Sequence, residues 1–169
     1  LFPYTTLFRS NFLYAEDFAK AKLEDIFTKE KLKSAQVSEA YHFANTVFIN
    51  DGKGNFTAQD LPWEAQITAY KTAAICDGNG DNKPDILLMG NFYDNNVQMG
   101  RYDADYGTLL LNKGKGQFEA VPLNGLAIKG QVRRIRPIQL GKGQSFVLAM
   151  NSDSLRIIEF NTSSKLGNK

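Results

Sequence analysis

Residues 46–56, TVFINDGKGNF, align without a gap on residues 108–118, TLLLNKGKGQF, with Thr, Asn, Gly, Lys, Gly and Phe identical in both. Each copy reads as a strand, a glycine-rich turn and a return strand opened by Phe. Asn50 with Gly52, and Asn112 with Gly114, are expected to supply the left-handed conformations of such a hairpin. A second match accompanies the first: residues 86–91, ILLMGN, correspond to residues 146–151, FVLAMN, at a spacing of 60 instead of 62, so the second repeat is two residues shorter. A unit of this length holds several strands and cannot bury its own sheet faces, which is the pattern of a propeller or a stacked β-array. The competing arrangement is a sandwich containing two unrelated hairpins. Gly and Asn, 14 of each, tolerate positive φ and mark many tight turns, hence short strands.

The rest of the chain frames this β body. Residues 11–43 are rich in Lys, Glu and Ala with apolar residues in loosely helical spacing, and predict two short helices, one of them capped by Thr28 and running through Ser34. The strand-like period occupies residues 44–160, and residues 161–169 form a tail. Residues 1–10, LFPYTTLFRS, resemble the in-register translation of a common sequencing-library adapter and are set aside from fold reasoning. With 43% hydrophobic and 22% charged residues the chain can build a sizeable core. Apolar runs such as residues 86–89 and 109–111 are strand-sized, so no membrane span is expected. A net charge of +2 gives no broad reason to expect a polyanion, and nucleic acid is not expected as a partner. The lone Cys76 forms no internal disulfide and reads as a packed thiol.

The chemistry lies in residues 76–88, CDGNGDNKPDILL, where Asp77, Asn79, Asp81 and Asp85 take positions 1, 3, 5 and 9 of a nine-residue loop. Hard oxygens at alternating positions of a curled Gly/Asn backbone can converge on one cation, and Ca²⁺ accepts about 6 to 8 of them. The backbone carbonyl of Lys83, at position 7, is the natural further ligand, with its ammonium turned to solvent. An EF-hand is excluded, because Asn82 and Leu88 stand where that loop needs Gly and a bidentate Glu. Asp85 runs straight into an apolar stretch, so the loop joins two strands. Mg²⁺ suits a cage of several protein oxygens less well. The plain alternative is a polar turn without metal, in which three carboxylates repel one another. Residues 140–145, LGKGQS, stand where the loop would recur and carry no carboxylate, so one metal site is expected, not two.

Asp-x-Asn-x-Asp-x-x-x-Asp leading into ILLMGN, then a Leu-rich strand, Asn-x-Gly-x-Gly and Phe, resembles the FG-GAP or VCBS repeat, the β-propeller blade also found in integrin alpha subunits. The likeness covers roughly residues 44–160. Residues 14–27, 91–107 and 131–160 are similar to the C-terminal end of long bacterial proteins of this kind. The resemblance implies a mainly β fold of about two propeller blades with a short N-terminal helical segment, and a C-terminal fragment whose upstream blades are missing. It implies Ca²⁺ held by Asp77, Asn79, Asp81, the Lys83 carbonyl and Asp85. It also implies an extracytoplasmic, non-catalytic binding or scaffold module for protein or glycan.

Two further groups are candidates for contact. Residues 91–106 form a long connection carrying Phe92, Tyr93, Arg101, Tyr102, Asp103 and Tyr106, a combination suited to sugar or protein, or else a loop whose aromatics cover the adjacent sheet. Lys129, Arg133, Arg134 and Arg136 form a basic cluster on an expected strand, where Val132 and Ile135 face inward together only across a bulge. This cluster suits an anionic polysaccharide or pairs with neighbouring carboxylates. The rival function is a propeller-type hydrolase or lyase acting on polysaccharide near Arg101, Tyr102 and Asp103. Those residues include no nucleophile, base and orienting group, so no enzyme is expected. Trp63, after Pro62, is expected to anchor the connection between repeats.

Overall fold

The computed structural model describes residues 12–123, 125–141 and 143–160, so the adapter-like start and the tail lie outside the described residues. The chain divides into two compact units, Leu1–Phe43 and Ala44–Lys169. In the first, three short helices form instead of the expected two: α1 (Ala15–Lys20), α2 (Leu23–Ile26) and α3 (Lys29–Lys33). The extra break arises because Ala21 and Phe27 both take extended backbone (ψ 141° and 145°), ending a helix twice within a few residues. Thr28 caps α3 as expected, its hydroxyl accepting the Lys31 N–H at 3.4 Å. None of the three helices contains a buried residue.

The second unit is β. Its strands are β1 (Thr46–Asn50), β2 (Phe56–Asp60), β3 (Tyr70–Cys76), β4 (Asp85–Gly90), β5 (Thr108–Gly114), β6 (Gln117–Pro122), β7 (Val132–Ile138), β8 (Gln144–Met150) and β9 (Arg156–Phe160). They form three antiparallel sheets ordered β1-β2, β3-β4-β5-β6 and β7-β8-β9. The matched segments of sequence adopt matched pairings. Thr46 faces Asp60 and Asn50 faces Phe56, while Thr108 faces Pro122 and Asn112 faces Phe118. Likewise Ile86 faces Leu110, and Phe146 faces Ile158.

The turns use their asparagines differently from expectation. The positive φ values belong to Gly52, Gly54, Gly114, Lys115 and Gly116, not to Asn50 or Asn112. The asparagines contribute side chains: Asn50 Oδ1 accepts the Gly52 N–H and Asn112 Oδ1 the Gly114 N–H, each at 2.8 Å. An Asx turn leaves the asparagine's own backbone extended and passes the strained conformation to glycine.

Both faces of the four-stranded sheet carry buried residues, because neighbouring residues of a strand point to opposite sides. Leu87, Met89, Leu109 and Leu111 pack with Val132, Ile135, Phe146, Leu148 and Ile158 of the three-stranded sheet. Leu88 and Leu110 pack on the opposite side with Ala65, Leu61, Tyr70, Ile86 and Phe118. Each fully buried Leu or Met contributes about 1.5–3 kcal/mol relative to exposure. The register shift between Val132 and Arg134 is the bulge that lets Val132 and Ile135 both turn inward. Trp63 corrects its expectation: it begins a short 3₁₀ turn (Trp63–Gln66) and is 71% exposed, and the connection is anchored instead by buried Ala65 and by Gln66, which bonds Asn45 and Leu61. Among the described residues no helix is long and apolar enough to cross a membrane.

Candidate functional site

The loop of interest is closed by Cys76 and Asp85, which face each other as the last antiparallel pair of β3 and β4. Within it the polar side chains fold back on the loop's own N–H groups. Asp77 Oδ1 accepts from Gly80 (2.8 Å) and Asp81 (3.1 Å), and its Oδ2 accepts from Asn82 (3.0 Å). Asn79 Oδ1 accepts the Asp81 N–H at 3.0 Å, and Asp81 Oδ1 the Lys83 N–H at 2.9 Å. This tight curl requires positive φ at Gly80 (79°) and Asn82 (62°), the latter a residue type that tolerates it.

Asp85 behaves differently from the other acids. It is 0% exposed, and its two oxygens accept the Gly78 N–H at 2.9 Å and the Asn112 N–H at 2.8 Å. Asn112 returns a bond from Nδ2 to the Pro84 carbonyl at 3.1 Å. The loop is thereby stitched to the β5–β6 turn.

The Lys83 side chain is exposed, as expected, and its ammonium lies 3.3 Å from Asp81 Oδ2. With three carboxylates in so short a loop, the nearest cation is drawn onto the loop. The Lys83 N–H is the main influence holding the Asp81 carboxyl below its ordinary value. Burial, then the charges of Asp85 and Asp77, pushes the Cys76 thiol up to about 12. Among the described residues no group of three His, Cys, Asp or Glu side chains is gathered closely enough to hold a metal ion. In this conformation the carboxylates serve backbone N–H groups. The donor set of three carboxylates, one amide oxygen and the Lys83 carbonyl is nonetheless entirely hard oxygen, the chemistry that suits Ca²⁺.

The loop borders a cleft of about 510 Å³ lined by Asp77, Asn82, Pro84, Pro137, Gln144 and Phe146 among others. Gln144, which lies within the carboxylate-free segment of residues 140–145 and opens β8, accepts the Asp77 N–H through Oε1 at 2.9 Å.

Residues 91–106 leave the opposite end of β4. Phe92 and Tyr102 pair as an isolated antiparallel bridge, with N···O distances of 2.8 and 2.9 Å. Arg101 stacks over the Tyr93 ring at 4.9 Å and Lys71 over Phe92 at 5.3 Å, while Tyr102, Asp103 and Tyr106 are exposed. The base of this excursion rests on two residues that sequence reasoning did not single out. Buried Asn91 donates to the carbonyls of Asp105 (2.8 Å) and Gly130 (3.0 Å), and its Oδ1 accepts from Asp105 N–H and the Thr68 hydroxyl, both at 3.1 Å. Asp105 is buried and accepts from Gly90, Gly107 and Thr108. The usable signal was the Asp-Tyr-Gly-Thr run, since an acid two residues before Gly is an Asx-turn pattern.

The basic residues do not act together. Arg133, on the bulge, bonds Asp94 at 3.1 Å; Arg134 and Arg136 lie exposed opposite Ala149 and Val147; and Lys129 is exposed. Comparison with family models, with curated proteins and with solved structures finds no match for this chain.

Proposed function

We propose that this chain is a non-catalytic, calcium-binding module whose sheets are blades of a β-propeller, acting outside the cytoplasm to bind protein or glycan or to scaffold other domains. The single observation that carries the reading is the strand-to-strand loop of residues 77–85, with hard oxygens at alternating positions on a tightly curled backbone. Asp77, Asn79, Asp81, the Lys83 carbonyl and Asp85 would hold the ion. Ca²⁺ supplies there the positive charge that offsets three carboxylates. Asp85 would pass the ordering of the loop to the β5–β6 turn through Asn112. The successive antiparallel sheets of the second unit support the blade reading, as does the common register of their hairpins. The surface of residues 91–106, with Phe92, Tyr93, Arg101, Tyr102, Asp103 and Tyr106, is the candidate contact face for a ligand.

Extracellular calcium sites bind at about 10⁻⁴ to 10⁻³ M, so on this reading millimolar Ca²⁺ is needed for occupancy. Calorimetric titration of Ca²⁺ into chelator-stripped protein should show one site, absent in Asp81→Ala. At a hundredfold excess over Kd the ion should stabilise the fold by about 2.7 kcal/mol, read as a raised unfolding midpoint. Equal heats for wild type and Asp81→Ala, or none for either at millimolar Ca²⁺, would refute the metal site.

A further inference from the structure

Asn79 and Gly80 stand exposed in the loop between β3 and β4, an amide side chain followed directly by glycine. Asparagine is a thermolabile residue because its side-chain carbonyl carbon can be attacked by the nitrogen of the next peptide. In most settings three obstacles keep that attack slow. The following side chain shields the nitrogen, its proton has no acceptor, and the carbonyl oxygen gains charge unassisted.

At Asn79 each obstacle is met by a group already in place. Gly80 has no side chain to shield its nitrogen, and its N–H donates to Asp77 Oδ1 at 2.8 Å, a distance suited to passing the proton to the carboxylate. The Asp81 N–H donates to Asn79 Oδ1 at 3.0 Å, where negative charge develops during attack. That bond also closes an Asx turn, which folds the Asn79 amide over the peptide joining it to Gly80. Among the described residues nothing accepts a hydrogen bond from Asn79 Nδ2, so the fold does not retain the leaving group. Asn50 and Asn112 form similar turns with Gly52 and Gly114 but are followed by Asp51 and Lys113, whose side chains crowd the nitrogen. The Asp51 N–H is moreover engaged by the Asn55 carbonyl at 3.0 Å.

We propose that Asn79 is a site of self-catalysed deamidation. The Gly80 nitrogen bonds to Asn79 Cγ as its proton passes to Asp77 Oδ1. The Cγ–Nδ2 bond breaks, and ammonia leaves with that proton, giving a cyclic succinimide. Water then opens the ring at either carbonyl, yielding aspartate or isoaspartate at position 79 with no other reactant consumed. Either product adds a carboxylate to the loop that already holds Asp77, Asp81 and Asp85. The isoaspartate also carries the main chain through its own side chain, lengthening the loop and shifting Asp81 and Lys83 out of register with Asp77. The change is one-way. It rests on the hydrogen bonds of the loop without an ion, and stands whether or not the calcium reading holds.

Peptide mapping by mass spectrometry tests this on protein held at physiological temperature with chelator, either folded in buffer or unfolded in guanidinium, with circular dichroism verifying the fold. Position 79 of the folded protein should convert to a chromatographically separable pair of acid forms, severalfold faster than in the unfolded chain. Asn50 and Asn112 of the folded protein should keep their amides over the same period. Asp77→Ala should slow the folded rate to that of the unfolded chain. Should that variant misfold, the comparison of folded with unfolded wild type decides alone. An amide at position 79 that stays intact, a folded rate no greater than the unfolded one, or an unaltered rate in folded Asp77→Ala would each overturn the proposal.

Discussion

Asp85 Oδ1 accepts the backbone N–H of Asn112 at 2.8 Å, joining the start of β4 to a turn 27 residues away. The same carboxylate accepts the Gly78 N–H, and nothing of Asp85 reaches solvent. Asp85→Ala strips two N–H groups of their acceptor at about 1–3 kcal/mol each, so a loss of roughly 2–5 kcal/mol is expected. Denaturant unfolding without added Ca²⁺ measures it. A midpoint unchanged from wild type would mean that the pair of bonds is dispensable.

Gly90 leaves no room for a side chain. A Cβ there would lie 2.3 Å from the Ala69 carbonyl oxygen and 2.5 Å from the Tyr70 Cα, both backbone atoms that cannot rotate away. Gly90→Ala should part β4 from Tyr70 and destabilise by about 1–3 kcal/mol or more, seen as a lowered urea midpoint. An unaltered midpoint would contradict the close approach.

The Asp105 carboxyl is pushed above its ordinary 3.8, burial being the main cause and the donors from Gly107, Thr108 and Gly90 opposing it. In the window between 3.8 and that higher folded value, the native state keeps a proton that the unfolded chain has released. The contribution of Asp105 is complete below the unfolded value and is lost as pH rises through the folded one. Asp51, Asp81 and Asp153 are shifted the other way, and their contributions fade only as pH falls below the ordinary range. Urea unfolding across mildly acid pH should therefore show a declining component that Asp105→Asn abolishes, whatever the variant's overall stability. Identical slopes for the two proteins would rule this out.

Cys76 offers a probe of opening. Buried, and with its thiol pushed up to about 12, it carries almost no thiolate at mildly alkaline pH. An unfolded cysteine titrates near 8.5, so alkylation by iodoacetamide at about pH 8 should be more than about a thousandfold slower in native protein than in urea. Rapid labelling of folded protein would place the sulfur elsewhere.

The β body and its hairpin registers were legible because identical turn residues recur at a fixed spacing, and because Leu87, Leu88, Leu109 and Leu110 alternate between two buried faces. The bulge at Arg133 followed from requiring Val132 and Ile135 to share one side. What escaped were relations between distant residues. No local pattern announces that Asn112 meets Asp85, that Gln144 meets Asp77, or that Asn91 and Asp105 form a buried pair. The alternation of acids marked the loop, but which acid is enclosed depends on the strand packed across it. The third helix was missed because the break at Ala21 involves no glycine or proline.

Asn91 touches Thr68, Asp105 and Gly130, three separate stretches of chain, through a single amide. With the Phe92–Tyr102 bridge just beyond it, the long excursion to Tyr106 leaves the sheet along a pre-set path. A partner meeting the rings of Tyr93 and Tyr102 thus encounters a rim already held at its root, and little chain entropy remains there to be surrendered on contact.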